Sequence, residues 1–350
     1  MYKHGGNIYL NTNKNDFSAN INLAGMSEGV IRAACEGVMR SDRYPDPECA
    51  DLRKAISKAI GTSAHQIICG NGAADLIYSL VLALKPKKAL MPIPAFYEYE
   101  QALKVVECKI EYYYMREEQQ FLLQEDFIDR IREDIDIIFL CNPNNPTGHL
   151  IAKDLMYRII HHCENKCIYL VVDECFMDFV EERENHSVIS QCMTSKYLFV
   201  LKAFTKLYAM PGLRLGYGIC SNMALLERIK EVSQPWNVSL PAQMAGIAAL
   251  KEDKYVKKSL ALIQREKIYL LEELQKLDYR VYDSKANYLF FHAHAGLYAL
   301  CLEEGILIRD CSNYRGLKEG YYRIAVKRHE DNEQLVKVLR KVDNLWQNQL

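Results

Sequence analysis

Between His65 and Gly218 the chain alternates short apolar runs with amphipathic stretches, and that rhythm leaves few folds open to it. The apolar runs fall at residues 66–69, 89–91, 110–113, 135–141, 168–172, 197–201 and 215–220. Each is of strand length, whereas residues 73–84, 97–106 and 155–163 between them carry apolar side chains at helical spacing. Strands joined through helices pair side by side in one direction, so the pattern predicts a mostly parallel α/β sheet in a large unit over residues 46–240.

Beyond Pro241 the rhythm changes. A long helical pattern reaches about Leu277, followed by a strand at 286–292, a helix at 297–304, strands at 306–309 and 321–326, and a closing amphipathic helix. This reads as a smaller α+β unit made of residues 26–45 and 241–350, with a helix at 27–40 packed against it and residues 1–25 as an irregular, polar arm.

With 49% hydrophobic and 25% charged positions, 350 residues supply enough apolar material for two closely packed units. A formal charge of -1 without a dense basic block argues against a nucleic-acid surface. No apolar segment approaches the roughly 20 residues that cross a bilayer, and no leader pattern opens the chain, so a cytoplasmic protein away from membranes is expected. The 12 cysteines are then read as free buried thiols, and the group His161, His162, Cys163 and Cys167 as lacking the geometry of a metal site.

Chemistry concentrates in the segment 199–217, where Lys206 stands between two apolar stretches with Arg214 nearby. Burial beside another cation lowers an ammonium pKa and frees the amine for bonding to a carbonyl carbon. The plain reading makes both residues surface charges beside the turn Pro211-Gly212. Four other segments bear on the choice. Cys69-Gly70-Asn71-Gly72-Ala73-Ala74-Asp75 follows a strand and opens a helix, as a phosphate cradle does. Phe96, in a loop at a strand end, offers a flat face for a ring. The segment Cys141-Asn142-Pro143-Asn144-Asn145-Pro146-Thr147-Gly148 is stiff and polar, and one of its amides can donate to a ring oxygen. Asp173 closes a fully apolar strand at the edge where α/β proteins bind ligands, and a carboxylate there can hold a pyridine nitrogen protonated.

Taken in this order, the segments resemble the class I and II aminotransferases of pyridoxal phosphate fold type I, along essentially the whole chain. The resemblance implies a large domain with a mostly parallel sheet, a smaller α+β domain and pyridoxal 5′-phosphate as cofactor. It makes Lys206 the lysine that carries the cofactor, Asp173 the partner of its ring nitrogen, Asn145 the donor to its ring oxygen and Phe96 the stacking ring. Gly72, Ala73, Thr205 and Arg214 would hold the phosphate, and Tyr44 would reach the site of a second subunit in a homodimer.

Two branches of the family come nearest, the histidinol-phosphate aminotransferases and the threonine-phosphate decarboxylases of cobalamin formation. The arm His4-Gly5-Gly6-Asn7, the pair Thr205-Lys206, Pro235-Trp236-Asn237-Val238 and the stretch from Ile306 to Tyr314 look like the second. Phe176, which would line the cofactor, stands where the aminotransferase pattern has a tyrosine bonded to the ring oxygen, and this too fits the decarboxylases. The resemblance implies a small phosphorylated amino acid as substrate, held by His4, Gly5, Asn20, Asn145, Arg309 and Arg323. The expected reaction is loss of the carboxylate, with transfer of the amine to 2-oxoglutarate as the alternative.

Overall fold

The computed structural model describes residues 5–347. Its strands are β1 (Asn15–Asp16), β2 (Ile67–Gly70), β3 (Lys88–Ile93), β4 (Lys109–Tyr114), β5 (Ile137–Cys141), β6 (Tyr169–Asp173), β7 (Leu198–Ala203), β8 (Gly216–Ile219), β9 (Arg280–Tyr282), β10 (Tyr288–His292), β11 (Ile306–Leu307), β12 (Arg309–Asp310) and β13 (Tyr321–Ala325). The helices are α1 (Glu28–Met39), α2 (Ala50–Ile60), α3 (Ala73–Leu84), α4 (Tyr97–Val105), α5 (Lys153–Asn165), α6 (Ile189–Cys192), α7 (Met223–Val232), α8 (Leu240–Ala249), α9 (Asp253–Gln275), α10 (Leu297–Glu303) and α11 (His329–Gln347).

Seven strands form one sheet in the order β2-β8-β7-β6-β5-β3-β4. β8 runs antiparallel to both neighbours, and the pairs from β7 across to β4 are parallel. The central strands read as unbroken apolar runs because both faces are covered. Ile138, Leu140, Val172 and Val200 point into the core on one face, and Ile137, Phe139, Val171 and Phe199 into the core on the other. One consequence decides where chemistry can sit. The chain leaves β3, β5, β6 and β7 at a single edge of the sheet, bringing Phe96, Asn145, Asp173 and Lys206 there together.

A second, antiparallel sheet runs β12-β13-β10-β9 and packs with α9, α10 and α11 around its own apolar core. Between Leu307 and Arg309 the chain changes partners: β11 pairs with β1, β12 with β13, and the residue between them, Ile308, is buried. The single strand expected at 306–309 is therefore two short ones.

Four further features depart from the sequence pattern. α2 was not anticipated; only Leu52 and Ile56 among its 11 residues are buried, too sparse a stripe to stand out. The long helix expected after Pro241 breaks between Ala249 and Asp253 into α8 and α9. α1 packs on α8, and both give their buried side chains, Val30, Ala34, Ala242 and Ala245, to the core of the large sheet. The arm is also less polar than its composition suggests, because Phe17 is wholly buried in the second core and its carbonyl accepts the Ala325 N–H at 2.8 Å. Among the described residues no helix is long and apolar enough to cross a membrane.

Candidate functional site

The strand ends enclose a cavity of about 430 Å³, and Lys206 is on its wall. Lys206 lies three residues beyond β7, with Nζ 5.6 Å from the ring centre of Phe176. Removal from water lowers its pKa to about 8, and the charges of Arg323 and Arg214 act in the same direction against the opposing Cys175 and Asp173. At pH 7.5 about a quarter of such amines are free, against about one in a thousand for an ordinary lysine. The rate at which the protein stripped of cofactor bonds an aromatic aldehyde should therefore climb with pH and level off above about pH 8.5. Stopped-flow absorbance checks this, and a rate still climbing steeply at pH 10 would contradict it.

Asp173 ends β6 and is buried. Its Oδ2 accepts the Tyr99 hydroxyl at 2.6 Å and its Oδ1 the Cys175 N–H at 2.9 Å. Phe96 precedes α4 and meets the Tyr99 ring edge-on at 5.5 Å, so an aromatic face and a carboxylate border the same space. Tyr99 escaped the sequence reading, although its place three residues after Phe96, on the same side of α4, was a usable signal.

The first turn of α3 closes another side. Ala73, Ala74, Thr205 and Arg214 line the cavity there. Gly72 is in the left-handed region at φ 84°, and a Cβ on it would come within 2.6 Å of Arg214 Nη2. A bare backbone at this point lets the guanidinium lie against the helix N-terminus, where the open N–H groups and the helix dipole favour an anion. The nearby Asp75 carboxylate is tied back by the Asn71 N–H and Asn237 Nδ2, both at 2.8 Å. Lys206, Asp173, a flat aromatic wall and this cradle are together the donor set that a phosphorylated pyridine aldehyde requires. Arg214→Gln should weaken retention of such a ligand by about tenfold to a hundredfold, measured by fluorescence titration of the stripped protein.

Opposite the cradle, Arg323 in β13 is only 5% exposed. Its Nη1 donates to Asn145 Oδ1 at 2.5 Å and its Nη2 to the Ser18 carbonyl at 2.8 Å. Tyr314 Oη donates to the same Asn145 oxygen at 3.2 Å, which leaves the Asn145 amide nitrogen as the group able to donate to a ring oxygen. Asn20 also lines the cavity, and its Oδ1 is buried without a hydrogen-bond partner among the described residues. Gly5 borders the space as well; a Cβ on it would come within 2.4 Å of the Ser18 carbonyl oxygen.

Arg309 does not share this wall. It lines an adjoining cavity of about 470 Å³, with Phe96 and Tyr314 bordering both spaces. Tyr44 is 76% exposed and stacked on Trp236 at 4.4 Å, outside the lining of the lysine cavity. His4 lies outside the described residues. Phe176 is buried, with its ring edge-on to Tyr288 at 5.1 Å, and brings no hydroxyl to the site. Tyr314, Cys175 and Ser18 also line the cavity; Ser18 and Tyr314 come from parts of the chain far from the large sheet, which hides their place from a sequence reading.

Comparison with known proteins agrees with this geometry. The chain is 35% identical to a threonine-phosphate decarboxylase of Salmonella typhimurium over 97% of its own length and 96% of that protein. A histidinol-phosphate aminotransferase structure from Clostridium acetobutylicum superposes with a TM-score of 0.88 at 32% identity, covering 94% of this chain and 98% of the other. An L-threonine-O-3-phosphate decarboxylase structure from Porphyromonas gingivalis gives 0.81 at 26% identity, covering 93% and 98%. The pattern of the aminotransferase class I and II family spans residues 8–339, and the chain belongs to that family.

Proposed function

We propose that this protein decarboxylates L-threonine O-3-phosphate to (R)-1-amino-2-propanol O-phosphate, the kind of building block used in the cobalamin nucleotide loop, with pyridoxal 5′-phosphate as cofactor. The observation that carries the reading is the 35% identity to the Salmonella typhimurium decarboxylase along nearly the whole of both chains. Phe176 supports it, because this ring, 5.6 Å from Lys206 Nζ, lacks the hydroxyl of the aminotransferase pattern. The alternative, a histidinol-phosphate-type aminotransferase, has in its favour the TM-score of 0.88 to the Clostridium acetobutylicum structure.

When bound, the cofactor supplies an electron sink conjugated with the substrate's α-carbon. The chain's residues do the rest. Lys206 would carry the cofactor and serve as the base and acid of the site, and Asp173 would hold the ring nitrogen protonated. Gly72, Ala73, Thr205 and Arg214 anchor the cofactor phosphate, with Phe96 and Phe176 against the ring and Asn145 on its oxygen. Arg323, held on two sides by Asn145 and Ser18, presents a fixed guanidinium to one substrate anion. Arg309 serves the other anion from the adjoining cavity, and His4, Gly5 and Asn20 close the arm over the substrate and exclude water. Loss of the carboxylate as carbon dioxide would leave the electron pair on the α-carbon, and Lys206 would return a proton to that carbon.

Two further features belong to this reading. The exposed Tyr44, stacked on Trp236, supports a homodimer in which each subunit lends that ring to its partner's site. The 12 cysteines, none in a disulfide, suit the reducing cytoplasm.

The test is whether an oxo acid is needed. Protein loaded with pyridoxal phosphate is incubated with phosphothreonine, with and without 2-oxoglutarate, and the products are identified by mass spectrometry. The reading expects the aminopropanol phosphate in both mixtures. Glutamate and a carbonyl product formed only with 2-oxoglutarate would establish the aminotransferase instead.

A further inference from the structure

We propose that Tyr99 is a positioning residue that locks Asp173 to the wall formed by Phe96, so that acid and stacking ring meet the cofactor's pyridine as one rigid clamp. The inference rests on the pyridoxal phosphate reading of the cavity and is independent of the choice of substrate.

Tyr99 is wholly buried in α4, three residues beyond Phe96. Its ring is fixed on two sides, stacked on Phe139 of β5 at 5.0 Å with 15° between planes and edge-on to Phe96 at 5.5 Å. From that place its hydroxyl donates to Asp173 Oδ2 at 2.6 Å, the length of a charge-assisted O–H···O⁻ bond. Asp173 lies on β6, whose neighbour β5 carries Phe139, and the two strands are in register as Cys141↔Asp173. One phenol thus joins three elements, β5, β6 and the start of α4, at the point where a flat ring would be received.

The bond has a chemical role beyond holding geometry. Tyr99 donates to Asp173 Oδ2 and the Cys175 N–H to Oδ1, so the carboxylate is held from both of its oxygens. Tyr99 keeps its proton, since burial and the adjacent Asp173 charge push its pKa well above the ordinary phenol value. It is a permanent donor. Without it the carboxylate would lose its tie to the Phe96 wall and hold the ring nitrogen less firmly, leaving that nitrogen less cationic.

Tyr99→Phe removes one oxygen and keeps the ring in its stack. The first readout needs no substrate: the pH midpoint of the visible absorbance of the cofactor-loaded protein. It should rise by about 0.5 to 1 pH unit as the ring loses positive character. kcat should fall by about tenfold with KM within about twofold, the loss of one charge-assisted hydrogen bond at the reacting ring. Phe139→Leu loosens the stack but leaves the hydroxyl; it should lower Tm and leave the midpoint in place. Tyr99→His, which retains a ring donor, provides a second route should the phenylalanine variant not fold, and should keep the wild-type midpoint.

An unchanged midpoint and kcat in Tyr99→Phe would overturn the proposal. So would a midpoint in Phe139→Leu or Tyr99→His displaced as far as in Tyr99→Phe. If the wild-type protein developed no visible band with pyridoxal phosphate, the cofactor reading itself would fall, an outcome separate from a failure of the Tyr99 clamp.

Discussion

Lys206→Ala is expected to abolish turnover, by roughly 10⁴-fold or more, because in the proposed mechanism one substitution removes both the covalent attachment and the group that moves the proton at the α-carbon. Fold and ligand pocket should survive. Among the described residues Lys206 makes no salt bridge, and its side chain borders the cavity instead of filling a core. The lysine amine costs free energy to hold in its charged form, as its lowered pKa shows, so its removal should not destabilise the protein near neutral pH. The sign follows from linkage: an unfolded chain binds more protons at this lysine than the folded one does, so stability rises with pH from about 8 toward the ordinary lysine value, and alanine removes that dependence. The variant should therefore still take up pyridoxal phosphate but release it on gel filtration, and should show no band that borohydride bleaches. Full turnover by Lys206→Ala would refute the assignment.

Arg323→Lys should lower kcat/KM by about a hundredfold, with most of the loss in KM. The guanidinium is held at 2.5 Å from Asn145 Oδ1 and 2.8 Å from the Ser18 carbonyl through two different nitrogens, and a lysine ammonium lacks the planar fork that reaches both while facing a substrate anion. The lysine variant keeps the charge, so the experiment separates fixed geometry from charge alone. Asn145 would lose a partner on its oxygen and keep Tyr314, so cofactor affinity should change less than substrate affinity. Steady-state kinetics alongside cofactor titration tests this. Equal losses in both would show that Arg323 supports the cofactor loop and not the substrate.

The parts of the site readable in sequence share one physical origin. Phe96, Asn145, Asp173 and Lys206 each follow an apolar strand, and parallel strands deliver whatever follows them to one edge. Order along the chain was enough to bring them together. Tyr99 is a different case: its spacing from Phe96 marks the side of α4 that the two share, but its partner Asp173 is 74 positions away and nothing local pairs them. The resemblance gave Arg309 and Arg323 a common role, and they face each other in register on β12 and β13, yet Arg309 lines the second space, with Tyr314 bordering both. The buried Phe17 in an otherwise polar arm was equally hidden, since one aromatic residue carries no period. What stayed illegible was which long-range pairs would meet, while the local devices were plain.

The most direct measurement is the fate of the carboxyl carbon. Phosphothreonine labelled at that carbon is incubated with the cofactor-loaded protein in the absence of any oxo acid, and the gas phase is counted. The account predicts that label leaves as carbon dioxide in step with formation of 1-amino-2-propanol O-phosphate. Label retained in a non-volatile product, or appearing only with loss of the amine to an added oxo acid, would contradict it.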